Sequence, residues 1–234
     1  QEVLNNVSNS FQKGNQKKND TYLQKIEGMV FGDSEQSGIR RGNEFYHGPL
    51  NFYISSPETW EIINTPNQLI FSSPYGQAVL QMTLEDLNFK ETPKDYLRRF
   101  VSNTFEEEEL KINSLDGYTA IIKRSGRLSR IAVIFKGDKV YRFIGSLEDR
   151  ESDINQYDSR FLRIINSFRK LTKEEQDFSK PLRIRTYLVK NGDSYESLAK
   201  DSSININAED QLRLLNGDYP DKKLNIGRMI KIVK

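Results

Sequence analysis

The sequence of 234 residues predicts an α+β protein with one antiparallel sheet, two flanking helices and a smaller βααβ unit. Three observations support this fold class. Short runs of β-branched and aromatic residues alternate with turn residues between positions 44 and 147. Two segments carry apolar residues at spacings of three and four, which is typical of amphipathic helices. A strand-like run, a turn, two helical segments and an alternating run follow a charged linker.

Changes in composition divide the chain into four segments. Residues 1–43 predict a helical or linker segment. Residues 1–20 are polar and weakly periodic, residues 21–28 carry a short helical stripe, and residues 29–38 form a loop. Residues 44–170 carry the pattern of the α+β domain, and residues 171–182 form the charged linker. Residues 183–234 form the small unit. Because the sequence begins with Gln1 rather than Met, we expect a processed protein or a piece of a longer one.

The strands of the larger domain are predicted by apolar runs between tight turns. The runs LNFYIS, QLIFSS and QAVLQMTL are strand-like, and Pro74–Tyr75–Gly76 separates the last two. Three more runs, GYTAIIKR, LSRIAVIFK and KVYRFIGSL, predict an antiparallel meander. The links Ser125–Gly126 and Gly137–Asp138 suit hairpin turns that need a positive φ. We therefore expect a sheet of five to seven antiparallel strands.

Two helices are expected to pack on this sheet. Thr92 is a suitable N-cap, and Pro93 suits the first helical position. An apolar stripe from Leu97 to Phe105 predicts that this helix continues to a run of glutamates, Glu106–Glu109. The second helix is the clearest helical pattern in the chain. Its apolar residues are Ile154, Tyr157, Phe161, Ile164, Ile165 and Phe168.

Composition argues against several functional classes. The 35 basic and 33 acidic residues nearly cancel, so no strong field for nucleic acid is expected. The absence of cysteine excludes disulfides, thiolate catalysis and cysteine-based zinc sites. The sequence contains no run of 18 apolar residues, so no membrane span is predicted. His47 is the only histidine, whereas an HExxH zinc site needs two. We predict no catalytic site, metal site or cofactor in this chain.

Four features permit both a structural and a functional interpretation. We interpret His47 as a half-buried turn histidine rather than a catalyst, and Glu106–Glu109 as a hydrated face rather than a calcium site. Trp60 and Tyr53 are interpreted as core residues rather than a platform for stacking. A hairpin tip could contact a phosphate-bearing polymer, although charged tips are common. Its basic residues are Lys123, Arg124, Arg127 and Arg130.

The stretch YLVKNGDSYESLAK, with QLRLLNG and KLNIGRMIKIV after it, resembles a LysM module. In that family, chains of N-acetylglucosamine lie in a shallow groove between the loop after the first strand and the loop before the second. The resemblance implies a groove lined by Asp193, Ser194, Tyr195, Asn216 and Gly217. The alternative is a unit of the same shape that packs on its neighbour and binds no sugar.

Residues 44–170 are similar to the PsbP-like class of small domains, through LNFYISSPETW and FLRIINSFRKL. A longer resemblance covers residues 22–60 and 161–199. These stretches resemble the C-terminal half of bacterial envelope zinc proteases of peptidase family M forty-eight, the type with TPR repeats. In that family an upstream HExxH helix carries the catalysis.

The protease resemblance implies a non-catalytic, exported region of a periplasmic or envelope protein. Such a region would contact a substrate, a partner protein or the cell wall, and would be attached to an upstream protease domain. The alternative is a stand-alone envelope protein that binds peptidoglycan through its LysM-like unit.

Overall fold

A computed structural model describes residues 21–124, 126–148 and 153–234. The first 20 residues of the predicted N-terminal segment, the turn residue Ser125 and the side chain of Arg124 lie outside the described part. The strands there, in chain order, are β1 (Val30–Phe31), β2 (Ile39–Arg41), β3 (Glu44–His47), β4 (Phe52–Ser55), β5 (Glu61–Asn64), β6 (Leu69–Ser72), β7 (Ala78–Asp86), β8 (Thr104–Ile112), β9 (Leu115–Arg124), β10 (Arg127–Lys136), β11 (Lys139–Leu147), β12 (Leu182–Leu188) and β13 (Met229–Val233).

The α-helices are fewer than the strands in the described part of the chain. They are α1 (21–26), α2 (Pro93–Phe100), α3 (Asn155–Asn166), α4 (Glu175–Phe178), α5 (Tyr195–Lys200) and α6 (Ala208–Asn216). None of them is long and apolar enough to cross a bilayer.

The chain forms two compact units. The central unit is Glu35–Lys180, and the terminal unit combines the described residues up to Ser34 with Pro181–Lys234. Each unit has its own hydrophobic clusters. The two units are described separately below.

The central unit contains a seven-stranded sheet in the order β5-β6-β7-β11-β10-β9-β8, and a three-stranded sheet in the order β2-β3-β4. Every pairing in both sheets is antiparallel. Gly137, with φ of 64°, makes the tight turn between β10 and β11. The prediction of an α+β fold built on antiparallel strands is confirmed. The prediction of a single sheet is wrong, because the run LNFYIS forms β4 of the separate three-stranded sheet.

The two faces of the seven-stranded sheet carry different helices. Side chains alternate between the faces of a strand. Ala132 and Ile134 of β10 accordingly belong to one apolar cluster, whereas Ile131 and Val133 belong to the other. The first cluster contains α3 residues and Trp60, which is 4% exposed and lies 5.9 Å from the Phe161 ring. The second contains Tyr96 and Leu97 of α2. Trp60 and Tyr53 are both buried, which confirms their interpretation as core residues.

The predicted end of helix α2 is wrong. Thr92 caps it as expected, since its hydroxyl accepts a hydrogen bond from Asp95 N–H at 3.1 Å. The helix ends at Phe100, however, and Val101 is extended with φ of −137°. Residues 104–112 instead pair with β9. The apolar spacing of three and four favoured a helix, but backbone hydrogen bonds with β9 make residues 104–112 a strand.

Glu106–Glu109 therefore belong to strand β8 and not to a helix end. The ladder is interrupted between Phe105 and Glu108, and Glu106 has φ of 48°. This is the geometry of a β-bulge. Glu107 is the most engaged of the four glutamates. Hydrogen bonds from Thr104 and Tyr118, and a further bond from Arg98, lower the pKa of Glu107 to about 2.

The terminal unit places β12, α5, α6 and β13 in that order along the chain. Strands β12 and β13 pair over five positions, from Ile184–Val233 to Leu188–Met229. Its main cluster is built on Tyr195, Ile204, Leu212 and Val233. Strand β1 adds a third strand beside β12, so the prediction of a loop throughout 29–38 is wrong at Val30–Phe31. The partners of those two residues are about 150 positions away, and local sequence gives no signal for them.

Candidate binding sites

Asp193 and Ser194 close the turn that leads into helix α5. Asp193 Oδ2 accepts hydrogen bonds from the Lys190 backbone N–H at 2.7 Å and from the Tyr187 hydroxyl at 3.0 Å. Ser194 and Ser197 form a reciprocal capping box, each hydroxyl accepting from the other's backbone N–H at 3.1 and 3.0 Å. These two predicted groove residues begin the helix and remain at least partly exposed.

Tyr195 lies in the core of the terminal unit. Its side chain is 2% exposed, and its hydroxyl donates to Asp218 Oδ2 at 2.6 Å. Arg228 donates to the same oxygen at 2.6 Å, and the Lys222 ammonium lies 3.2 Å from Oδ1. Burial alone would raise the pKa of Asp218, but hydrogen bonds from Tyr195, Arg228 and Lys222 outweigh it and lower that pKa. The network stabilises a buried carboxylate.

Asn216 and Gly217 end helix α6 and attach it to strand β13. The Asn216 amide donates to the carbonyls of Leu212 and Lys231 at 2.9 and 2.8 Å, and its oxygen accepts from Lys231 N–H at 2.8 Å. Gly217 adopts φ of 69°, the left-handed conformation that commonly terminates helices. The side chain of Asn216 is therefore engaged within the fold.

The structure brings together the two loops expected to border a groove. Val189 N–H donates to the Arg228 carbonyl at 3.0 Å, and Gly227 N–H donates to the Val189 carbonyl at 2.9 Å. We define the two-loop surface as residues 190–194 and 219–227. Asp193 and Ser194 lie on it, whereas Tyr195 and Asn216 are engaged in the interior.

Sequence reasoning missed two exposed apolar residues of the two-loop surface. Tyr219 is 55% exposed and Ile226 is 70% exposed. Both stand in turn-rich stretches, before Pro220 and Gly227, where short polar residues are more usual. A bulky apolar residue within a turn was the sequence feature that could have revealed both exposed side chains.

A cavity of about 460 Å³ opens in the central unit. Both sheets contribute to its lining, together with the turn between β5 and β6. Its polar rim includes the side chains of His47, Asn64, Asn67 and Gln68. No carboxylate belongs to the lining residues described. Its floor consists of buried apolar side chains, namely Phe45, Phe52, Leu69, Met82 and Tyr141.

His47 lies at the edge of this cavity in a fixed orientation. Its Nδ1 accepts a hydrogen bond from Leu50 N–H at 3.2 Å, and its ring stacks on Phe52 with centroids 5.3 Å apart. Burial lowers the pKa of His47, and the nearby positive charge of Lys136 lowers it further. A backbone hydrogen bond acts in the opposite direction. The interpretation of His47 as a half-buried histidine is confirmed.

The predicted basic cluster is only partly at the surface. Lys123 and Arg127 are exposed. Arg130 is 3% exposed and forms an ion pair with Asp158, so its assignment to a charged hairpin tip is wrong. Arg130 on β10 points into the unit and pairs there with the Asp158 carboxylate on α3. Among the described residues, no three His, Cys, Asp or Glu side chains are grouped as a metal site.

No protein-family profile and no curated protein matches the sequence. Solved structures that resemble it include the cyanobacterial PsbP protein CyanoP of Synechocystis sp. PCC 6803, at 14% identity and a TM-score of 0.43. That match covers 62% of this chain and 98% of CyanoP. LpqN of Mycobacterium tuberculosis, a protein involved in cell envelope biogenesis, matches at 11% identity and a TM-score of 0.34. That match covers 55% of this chain and 86% of LpqN.

A third similar structure is a protein of Bacteroides thetaiotaomicron, at 10% identity and a TM-score of 0.42. The match covers 69% of this chain and 58% of that protein. At these identities and scores, the likenesses assign neither a family nor a function to the chain.

Proposed function

We propose that this chain is a non-catalytic binding region of an exported zinc-metalloprotease-like protein, and that its terminal unit contacts the cell wall. The observation that carries the proposal is the pair of hydrogen bonds between Val189 and the stretch Gly227–Arg228. They hold side by side two loops that would border the sugar groove if the resemblance to LysM modules holds for this unit.

The chemistry of the two-loop surface is compatible with a polymer of N-acetylglucosamine. Such a sugar presents apolar ring faces beside hydroxyl and amide groups. Tyr219 offers an exposed ring with a polar tip, and Ile226 offers an exposed apolar side chain. Asp193 and Ser194 add oxygen atoms on the opposite loop. The proposed contact therefore combines apolar groups from one loop with hydrogen-bonding groups from the other.

The attachment to a protease rests on the sequence resemblance of residues 22–60 and 161–199. An HExxH helix encoded upstream of Gln1 would support it, because that helix would supply the zinc ligands. A signal peptide directly before Gln1 would instead favour the stand-alone peptidoglycan-binding protein. Both alternatives use the same surface of the terminal unit.

Binding of the full chain to purified peptidoglycan, and to soluble N-acetylglucosamine oligomers by calorimetry, tests the wall contact. Tyr219→Ala and Ile226→Ala are each expected to weaken binding about tenfold. Truncating a side chain at the centre of an interface commonly costs roughly 1.4 kcal/mol or more of binding free energy, which corresponds to that factor. Ile206→Ala is the matched control. Ile206 is 61% exposed and precedes the opposite end of α6.

The glycan proposal fails if the native chain does not bind, or if the three variants bind equally well. Tyr195 and Asn216 are unsuitable for this test when binding is measured without stability. Both side chains are engaged in the interior, so their removal would weaken the fold and the binding together.

A further inference from the structure

The cavity of the central unit has the dimensions and lining of a small-molecule site. Its volume of about 460 Å³ falls within the range of known ligand pockets, roughly 300–1,000 Å³. Such pockets combine an apolar lining with a few polar groups that fix the orientation of the ligand. Here buried aromatic and aliphatic side chains make the floor, and His47 with side-chain amides makes the rim.

His47 offers one hydrogen-bond donor of defined direction. Because Nδ1 accepts from Leu50 N–H, the neutral ring carries its proton on Nε2. Stacking on Phe52 and an edge contact with Phe45, with centroids 6.3 Å apart, restrict rotation of the ring. The donor therefore has a fixed place at the border between the apolar floor and the open side.

The charges around His47 favour an anion. Lys136 Nζ donates to the Leu50 carbonyl at 2.7 Å, so a positive charge lies beside the loop that orients the histidine. Lys136 acts on His47 electrostatically, as a like charge. The described lining residues contribute no carboxylate. The carboxylate of Glu35, which is not a lining residue, comes within 3.9 Å of where a Cβ on Gly48 would stand and opposes this attraction in part. A negative group at the rim would experience net attraction from this side.

We propose that this cavity binds a small amphiphile with an apolar body and a single carboxylate, and that the carboxylate accepts a hydrogen bond from His47 Nε2. The apolar body lies on the floor made by Phe45, Phe52 and Met82. The carboxylate stays at the open rim, where water continues to hydrate part of it. This site belongs to the central unit and is independent of glycan binding by the terminal unit.

Calorimetry on the full chain with three ligands of equal chain length tests the proposal. Decanoate, decanol and decylamine, each below its micelle concentration, differ mainly in the charge of the head group. Decanoate is expected to bind tightest and decylamine weakest. His47→Ala is expected to weaken decanoate binding about tenfold, the usual effect of losing a hydrogen bond to a charged group, and to change decanol binding much less.

A pair of matched variants tests the location. Leu84 lines the cavity and is 39% exposed, so Leu84→Trp is expected to fill the opening and abolish binding of all three ligands. Ile63 is 38% exposed and is not a lining residue, so Ile63→Trp is expected to bind decanoate like the native chain. Circular dichroism shows whether each variant is folded.

Four outcomes would overturn the proposal. The native chain would bind none of the ligands, or decanol or decylamine would bind as tightly as decanoate. His47→Ala would leave decanoate binding unchanged, or a folded Leu84→Trp would bind decanoate like Ile63→Trp. None of these outcomes bears on peptidoglycan binding, so the two proposals can fail separately.

Discussion

Arg130 of β10 and Asp158 of α3 form a two-pronged ion pair in the interior of the central unit. Arg130 Nε lies 2.7 Å from Asp158 Oδ1, and a terminal nitrogen lies 2.6 Å from Oδ2. The arginine side chain is 4% exposed and the aspartate side chain 16%. The pair therefore connects the helix to the sheet through two charges that are largely removed from water.

Asp158→Asn is expected to lower the free energy of unfolding by about 3 kcal/mol, because it removes the two-pronged partner of a buried guanidinium. Only the exposed Glu106 carboxylate, 3.6 Å from Arg130, then remains as a counter-charge. Urea unfolding followed by Trp60 fluorescence measures the change, since Trp60 is the only tryptophan and lies in the central unit. Asp116→Asn is the control. It breaks an exposed pair with Lys111, which is worth about 0–1 kcal/mol. Equal effects of the two variants would show that Arg130 does not depend on Asp158.

This ion pair also shows where sequence reasoning stops. Local periodicity places Arg130 in a strand, but it does not say which face of the strand is buried. The cluster of basic residues around it favoured an exposed tip. Asp158 lies 28 positions away, in the predicted second helix. Arg130 and Asp158 meet only because α3 packs on the sheet, and the local sequence does not specify that packing.

Element types were predictable where one local signal dominated. Thr92 and Pro93 correctly predicted the start of α2, because the cap depends on contacts three residues apart. The end of α2 was wrong, because the stripe up to Phe105 has helical spacing although the segment after Val101 can form a helix or a strand. Strand pairing with β9 decided between them, and that pairing is not local.

The candidate groove was predictable only as a pair of loops. Asp193 and Gly217 were named through the resemblance to a LysM module, at a turn and a helix end, where residue type is restricted. The same signals also select residues for structure alone, as Tyr195 and Asn216 show. The cavity beside His47 could not be predicted, because its lining comes from strands far apart in the chain.

Gly145→Ala is expected to destabilise the central unit by about 1–3 kcal/mol, as overpacking of a core does. A Cβ at position 145 of β11 would lie 2.7 Å from the Phe161 ring of α3. Urea unfolding of the full chain measures the effect, with Ser146→Ala on the other face of β11 as control. The double variant Gly145→Ala, Phe161→Leu is expected to lose less than the sum of the single changes. Additive losses would contradict the contact.

The terminal unit is expected to lose stability in acid through Asp218. Its pKa is lowered in the folded state, so its contribution is present above the unfolded pKa of about 3.9 and is lost as the pH falls through the lower folded value. Urea unfolding read from amide signals of α6 by NMR at several pH values measures this. Asp218→Asn is expected to be less stable at pH 7 and less sensitive to acid.

The control for Asp218 is Asp210→Asn, an exposed change in the first turn of α6. It is expected to leave the acid dependence in place. If Asp218→Asn and the native chain lose stability in parallel between pH 5 and pH 2 (about 1.5 units on either side of the usual carboxyl pKa), Asp218 is not the responsible group.

Asn216→Ala separates a structural role from a role in sugar binding. The variant loses two hydrogen bonds donated by the amide and one accepted by its oxygen, all to backbone groups of α6 and β13. We expect the terminal unit to lose about 1–3 kcal/mol, because the Lys231 backbone groups remain half-buried without their partner. Tyr219→Ala is expected to keep its stability and to bind peptidoglycan about tenfold more weakly. Amide signals of α6 in urea and a peptidoglycan pull-down together decide the assignment. If Asn216→Ala instead unfolds like the native chain and fails to bind, its amide contacts the sugar, and the groove extends to the end of α6.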